Sequence, residues 1–190
     1  MKEQARVLGL DDSRFTFNDE FVAIVGVVMR ADGYLEGVMV SKVGVDGDDA
    51  NEVLAKMINT SRYKKQLRLV LTDGIAFGGF NVIDLQRLNH ETALPVAGVT
   101  RKMPDFEDMK KALKGHFADW RARYDIICKG NLIKIPTQHY PVYAKGFGME
   151  EKELILAIQR TILRGALPEP IRAAHMIATA LAIGESKGKA

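Results

Sequence analysis

This sequence lacks most of the features that announce a function by themselves. It has one cysteine, Cys128, which excludes an internal disulfide and any cysteine-based zinc motif, and a packed apolar side chain is the expected role. No apolar run approaches the ~20 residues that cross a bilayer, and Phe21 to Met29 is typical of the longest stretches. The stretch Met1-Lys2-Glu3-Gln4-Ala5-Arg6 has no apolar centre of the kind that directs secretion, so a soluble, cytoplasmic protein is expected. Internal repeats, low-complexity tracts and linkers are missing too, and 190 residues suffice for a single substantial core. Residues 1–190 are therefore read as one domain. A net charge of +3 is too small to single out nucleic acid, but residues 1–60 hold six Lys and Arg against eleven Asp and Glu, and residues 61–190 hold 21 against 13. That asymmetry is compatible with cations held at one place and a polyanion passing over another.

What the sequence does hold is a set of strand-like runs that end in acids. Arg68-Leu69-Val70-Leu71-Thr72 stops at Asp73-Gly74, as a buried strand does when its last residue emerges at the carboxyl edge of a sheet. That edge is where open α/β sheets bind ligands, and Asp73 is the first candidate for a chemical residue. Ala5 to Leu10 ends the same way, in Asp11-Asp12. Phe21 to Met29 is β-branched and long, Ala31-Asp32-Gly33 is a hairpin signal, and Tyr34 to Val43 is a third strand, which together predict an antiparallel meander.

Asp46, Asp48, Asp49 and Glu52 crowd the approach to a helix marked by Val53, Leu54, Met57 and Ile58. Asp49 with Glu52 fits a capping box, which would account for one acid and not for four. A Gly-rich turn at Gly78-Gly79 then leads to a helix from about Asn81 to His90 and a strand from Pro95 to Val99. Strand, helix, strand makes a parallel pair with a right-handed crossover, and Lys102 is expected at the same sheet edge as Asp73. Pro104 is read as the first residue of a helix through Leu113, and Ala118 to Ile127 as a further amphipathic stretch. Leu132 to Ile135 and Pro141 to Ala144 read as short strands or extended arms. A helix is expected from Met149 to about Leu163, and a proline-set turn beginning at Leu167 is followed by an Ala-rich helix that ends before Gly184 and places Arg172 and His175 on one face. The polar tail 185–190 is expected to fray. Phe77 and Phe80 are read as packing residues, and His90, His116 and His139 are not chosen.

The strings Leu71 to Asp84, Leu94 to Lys102 and Pro168 to His175 closely resemble the archaeal family labelled domain of unknown function 99. That family in turn resembles endonuclease V. The resemblance implies an α/β fold of ribonuclease H-like type: a mixed five-stranded sheet, made of a three-strand antiparallel meander plus a parallel βαβ unit, flanked by helices. It also implies divalent-metal cleavage of nucleic acid near a deaminated base. Gly9-Leu10-Asp11-Asp12-Ser13 matches the enzyme's first-strand pattern and makes Asp11 a metal ligand. Asp73-Gly74 matches a second ligand site, and Asp49 or its competitor Asp46 would supply another. Lys102 inherits a phosphate-facing role, and His175 falls near the site.

The chemistry suits such acids. Mg²⁺ or Mn²⁺ takes one or two carboxylates together with water and phosphate oxygens, and converging carboxylates repel one another until a cation joins them. The wedge and base-reading motifs of endonuclease V are replaced here by Val43 to Asp48 and by Ala76 to Phe80. Two functions follow: a metal-dependent nuclease acting on structured or modified nucleic acid, or a nucleic-acid- or nucleotide-binding protein that kept the fold without the chemistry. The oligomeric state is left open, with a homodimer among the options.

Overall fold

The computed structural model of the chain describes residues 4–187; the end of the polar tail, 188–190, lies outside that range, as do residues 1–3. Within it the chain forms β1 (Arg6–Asp12), β2 (Phe21–Arg30), β3 (Leu35–Gly44), α1 (Ala50–Thr60), β4 (Leu67–Asp73), β5 (Ala76–Phe77), β6 (Asn81–Val82), α2 (Leu85–Thr92) and β7 (Val96–Thr100). There follow α3 (Phe106–His116), α4 (Trp120–Cys128), β8 (Ile133–Ile135), β9 (Val142–Phe147), α5 (Glu151–Thr161) and α6 (Glu169–Ile183). No described helix is long and apolar enough to cross a membrane.

Seven strands make one mixed sheet in the order β3-β2-β1-β4-β7-β9-β8. The meander β1-β2-β3 is antiparallel, and β4 lies parallel to both β1 and β7, as expected. The sheet is wider than the expected five strands, because β9 adds antiparallel to β7 and β8 adds to β9. Lys145 explains why β9 read only as a short arm. It interrupts an apolar run, yet its side chain is buried, with Nζ donating to the carbonyl of Ile127 at 2.6 Å. Desolvation holds this ammonium below the usual lysine range.

The central strands are apolar on both faces because both are covered. Leu8, Leu10 and Val28 pack with Leu54 and Ile58 of α1 and Leu88 of α2 on one side. On the other, Val7, Leu69 and Leu71 pack with Ala157 of α5 and Ile171 of α6, and Val25 and Val27 with Ala174 and Ala178 of α6. Helix α6 lies so close to β1 that a Cβ on Gly9 would stand 2.2 Å from the carbonyl carbon of Pro170. Only glycine permits that approach.

Some helix starts and caps differ from expectation. Asn81 is in the β5–β6 hairpin, and α2 begins after Asp84, whose carboxylate accepts from Arg87 N at 3.0 Å. Asp105, not Pro104, starts α3, by accepting from Asp108 N at 3.0 Å. Asp49 precedes α1 without capping it, because its carboxylate is engaged elsewhere. Cys128, expected to pack, is exposed at the end of α4.

Candidate metal centre

Parallel pairing fixes the centre of the site. Leu10 is opposite Thr72, so the next residues, Asp11 and Asp73, emerge side by side at the carboxyl edge of β1 and β4. His175 comes from the first half of α6, the helix seated on Gly9, and its Nδ1 lies 2.8 Å from Oδ2 of Asp11. Asp11, Asp73 and His175 each present one donor atom, and these atoms lie within 4.8 Å of one another. Two carboxylates and an imidazole form a donor set that divalent cations of the Mg²⁺ to Mn²⁺ type accept.

Asp11 is only 4% exposed. Burial, then the charges of Asp73 and Asp12, push its carboxyl up to about 9. Asp73 is raised chiefly by burial, against the opposing charges of Arg101 and His175. Asp12 is raised by burial as well, although it accepts from Gly78 N at 2.6 Å. Three carboxyl groups that resist ionisation at one edge form a place where an added cation relieves the repulsion.

The remaining candidate residues are not members of this triad. Asp49 accepts from Asn81 Nδ2 at 2.6 Å and from Gly44 N at 3.1 Å. Asp46 has a left-handed backbone, φ 53°, and accepts from Phe80 N at 2.8 Å. Both acids therefore tie the β3–α1 turn to the Gly78-Phe80 turn. Lys102 is exposed in the bend after β7, whereas the charge of its neighbour Arg101 acts on Asp73. Asp12 and Arg101 were visible beside chosen residues and were not themselves chosen. Phe77 is fully buried and Phe80 packs edge-on against Phe117 with ring centroids 5.8 Å apart, so both pack.

The turn after Asp73 is held from several directions. Gly78 and Gly79 have φ of 54° and 90°, and a Cβ on Gly79 would stand 2.3 Å from Oδ1 of Asp46. Arg123 of α4 donates from Nη1 to the carbonyls of Phe80, at 2.6 Å, and Gly47, at 2.7 Å, while its Nε reaches Asp119 at 2.9 Å. Arg123→Ala leaves two carbonyls without their charged donor and is expected to cost about 2 kcal/mol of stability. Urea denaturation measures it, and an unchanged midpoint would remove Arg123 from this role.

Comparison with known proteins shows what the chain is similar to. A family profile described as endonuclease dU matches residues 3–182. A protein named UPF0215 from Methanothermobacter thermautotrophicus is 43% identical, over 100% of this chain and 94% of its own. A crystal structure described as a protein of unknown function from Archaeoglobus fulgidus superimposes with a TM-score of 0.84 at 31% identity, covering 93% of this chain and 97% of that one. Endonuclease V of Ciona intestinalis, solved with DNA containing an inosine followed by a ribo-adenosine, gives a TM-score of 0.60 at 14% identity, over 90% of this chain and 82% of that one. At that identity the likeness is one of fold, the ribonuclease H-like fold expected from the sequence.

Proposed function

This chain belongs to the endonuclease dU family, and from that premise we propose that it is a divalent-metal-dependent endonuclease acting on nucleic acid that contains a deaminated base. The observation that carries the reading is the convergence of Asp11, Asp73 and His175 at one sheet edge. We assign Asp11 and Asp73 as the carboxylates that hold Mg²⁺ or Mn²⁺. His175 orients Asp11 through the 2.8 Å hydrogen bond and completes the donor set. Arg101 and Lys102, in the segment following β7, meet the phosphate backbone, the first from beside Asp73 and the second from the exposed bend. Asp46 and Asp49 are assigned to holding the turns in place, not to the metal.

A bound cation supplies positive charge to a phosphate undergoing hydrolysis, in which water is added across one backbone P–O bond. The chain's contribution is placement: rigid strands fix Asp11 and Asp73, and α6 fixes His175. The family's name points to deoxyuridine as the deaminated nucleotide, and the DNA bound to Ciona intestinalis endonuclease V contains inosine, also a deamination product.

The test is cleavage of an end-labelled duplex containing one deoxyuridine, beside a thymidine control, in Mg²⁺ and in Mn²⁺. Wild type is expected to cut the deoxyuridine strand, and Asp73→Asn to cut it more than about a hundredfold more slowly, beyond the loss usual for a residue that merely supports a ligand. Equal rates for the two proteins would end the assignment of Asp73. Salt-sensitive binding with no cut strand in either metal would instead favour the binding protein without chemistry.

A further inference from the structure

Strand β3 closes one side of the sheet, with β2 as its strand neighbour. Just past their pairing, Val45 N donates to the carbonyl of Glu20. In an antiparallel ladder such bonding residues alternate, so from Gly37 to Val45 the odd-numbered residues turn their N–H and C=O groups to β2 and the even-numbered ones turn theirs outward, until a bulge at Glu36 interrupts the ladder. Both ends of this stretch are occupied. Tyr63 Oη donates to the carbonyl of Glu36 at 2.9 Å, and Gly44 N donates to the carboxylate of Asp49 at 3.1 Å. Between these capped ends, the outward groups of Val38, Val40 and Lys42 have no bond to any described residue.

The side chains add a second observation. Val38 is 44% exposed and Val40 59%, on a ten-residue strand without proline. Beside the strand runs a groove of about 560 Å³ lined by Met39, Val53, Met57 and Tyr63 among others. An apolar edge of this length, with open backbone groups and one lysine as its charge between the capped ends, is a template for another strand.

We propose that β3 pairs antiparallel with β3 of a second copy, about a two-fold axis through Val40, so that the two sheets continue into one another. The match of open and closed positions selects this register. About Val40, Val38 meets Lys42 and Val40 meets its own copy, so three open residues in each strand face three open residues and form about six N–H···O bonds. The capped ends fall outside the paired stretch. A shift of two residues would set Lys42 against Glu36, whose carbonyl Tyr63 already occupies. On the face away from α1, Val38 and Val40 of both copies form one apolar strip, with Lys42 of each copy at its ends. On the opposite face Met39 of each copy turns toward the groove beside α1. The self-complementarity distinguishes a second copy from an unrelated extended peptide.

Light scattering after gel filtration, together with sedimentation velocity over a wide concentration range, tests the pairing on the full chain. The wild type is expected at twice 21.1 kDa. Val40→Pro removes an outward N–H that the chain's own ladder does not use, and proline is tolerated at such edge positions. It is expected to run at 21.1 kDa with an unchanged circular dichroism spectrum, and with the amides of Val38 and Lys42 exchanging rapidly. Val40→Lys keeps the N–H, sets two ammonium groups against each other at the axis, and is expected to weaken association more than tenfold. It carries the test if the proline variant does not fold. The proposal is overturned if wild type has the mass of a single copy at every concentration, whether or not it binds an added extended peptide, or if association survives in both folded variants. Strand β2 stands between this edge and Asp11 on β1, so the result is independent of whether the chain cleaves nucleic acid.

Discussion

Mn²⁺ is expected to bind about tenfold more tightly for each unit of pH between roughly 6 and 9, and to expel a proton as it binds. Asp11 is the reason. With its carboxyl pushed up to about 9, the metal-free protein holds that proton at neutral pH, whereas a metal ligand must be the carboxylate. At pH 7 the apparent affinity should therefore lie about a hundredfold below its alkaline plateau. Stability follows the same linkage with the opposite sign. A carboxyl whose folded pKa is raised stabilises the fold fully below its unfolded value, near 4, and that contribution is lost as pH climbs toward 9, by up to about 1.4 kcal/mol per unit. Asp12 and Asp73 are raised too and act in the same direction, so the metal-free protein is expected to gain stability from them in mild acid and the cation to restore it in mild alkali. Calorimetry at three pH values, in buffers of different ionisation enthalpy, reads both affinity and proton release. Asp11→Asn should abolish the slope together with most of the binding. A wild-type affinity that does not move with pH would mean that Asp11 is not the group that binds the metal.

The second large effect is expected at a residue with no side chain. Gly9→Ala places a methyl carbon within 2.5 Å of three backbone atoms of Pro170 and Ile171, and backbone cannot turn aside as a side chain can. Helix α6 must move or the strand must bend, at a cost of about 3 kcal/mol, the upper part of the range for overpacked cores. Because Asp11 is two residues beyond Gly9 and His175 four beyond Ile171, the same displacement lengthens the 2.8 Å bond between them. Gly9→Ala is thus expected to lose thermal stability and metal affinity together, though neither Asp11 nor His175 is altered. Gly115→Ala, where an added Cβ meets nothing within 4 Å, is the control. Equal melting temperatures for the two variants would refute the close packing at Gly9.

These residues also mark how far the sequence could be read. The β-branched runs and the acids that end them made the meander and the parallel β4–β7 pair legible, and with them the shared edge of Asp11 and Asp73. Strand β9 was cut short in the reading because the partner of Lys145, the carbonyl of Ile127, is supplied by a distant helix and leaves no trace in local composition. The turn-holding contacts of Asp46 and Asp49 are hidden from the sequence for a related reason. Their hydrogen bonds go to residues more than thirty positions away, Phe80 and Asn81, and an acid cluster is the same string of letters whichever partners it finds. His175 was reached through family resemblance, since a lone histidine on an Ala-rich helix carries no spacing signal of its own. Asp12 and Arg101 needed the three-dimensional position of the Gly78 turn and of the bend after β7.

Helix α6 brings His175 to an aspartate 164 residues earlier in the chain, and this has a consequence for synthesis on the ribosome. Translation delivers Asp11 before Asp73, and the third donor last of the three. Until residues 169–183 have emerged, the nascent chain carries both acids without their histidine and leaves the Val25, Val27 and Met29 face of β2 without the helix that covers it. Completion of the centre and the covering of this face of β2 are therefore the same event, and a chain interrupted before Glu169 would have neither.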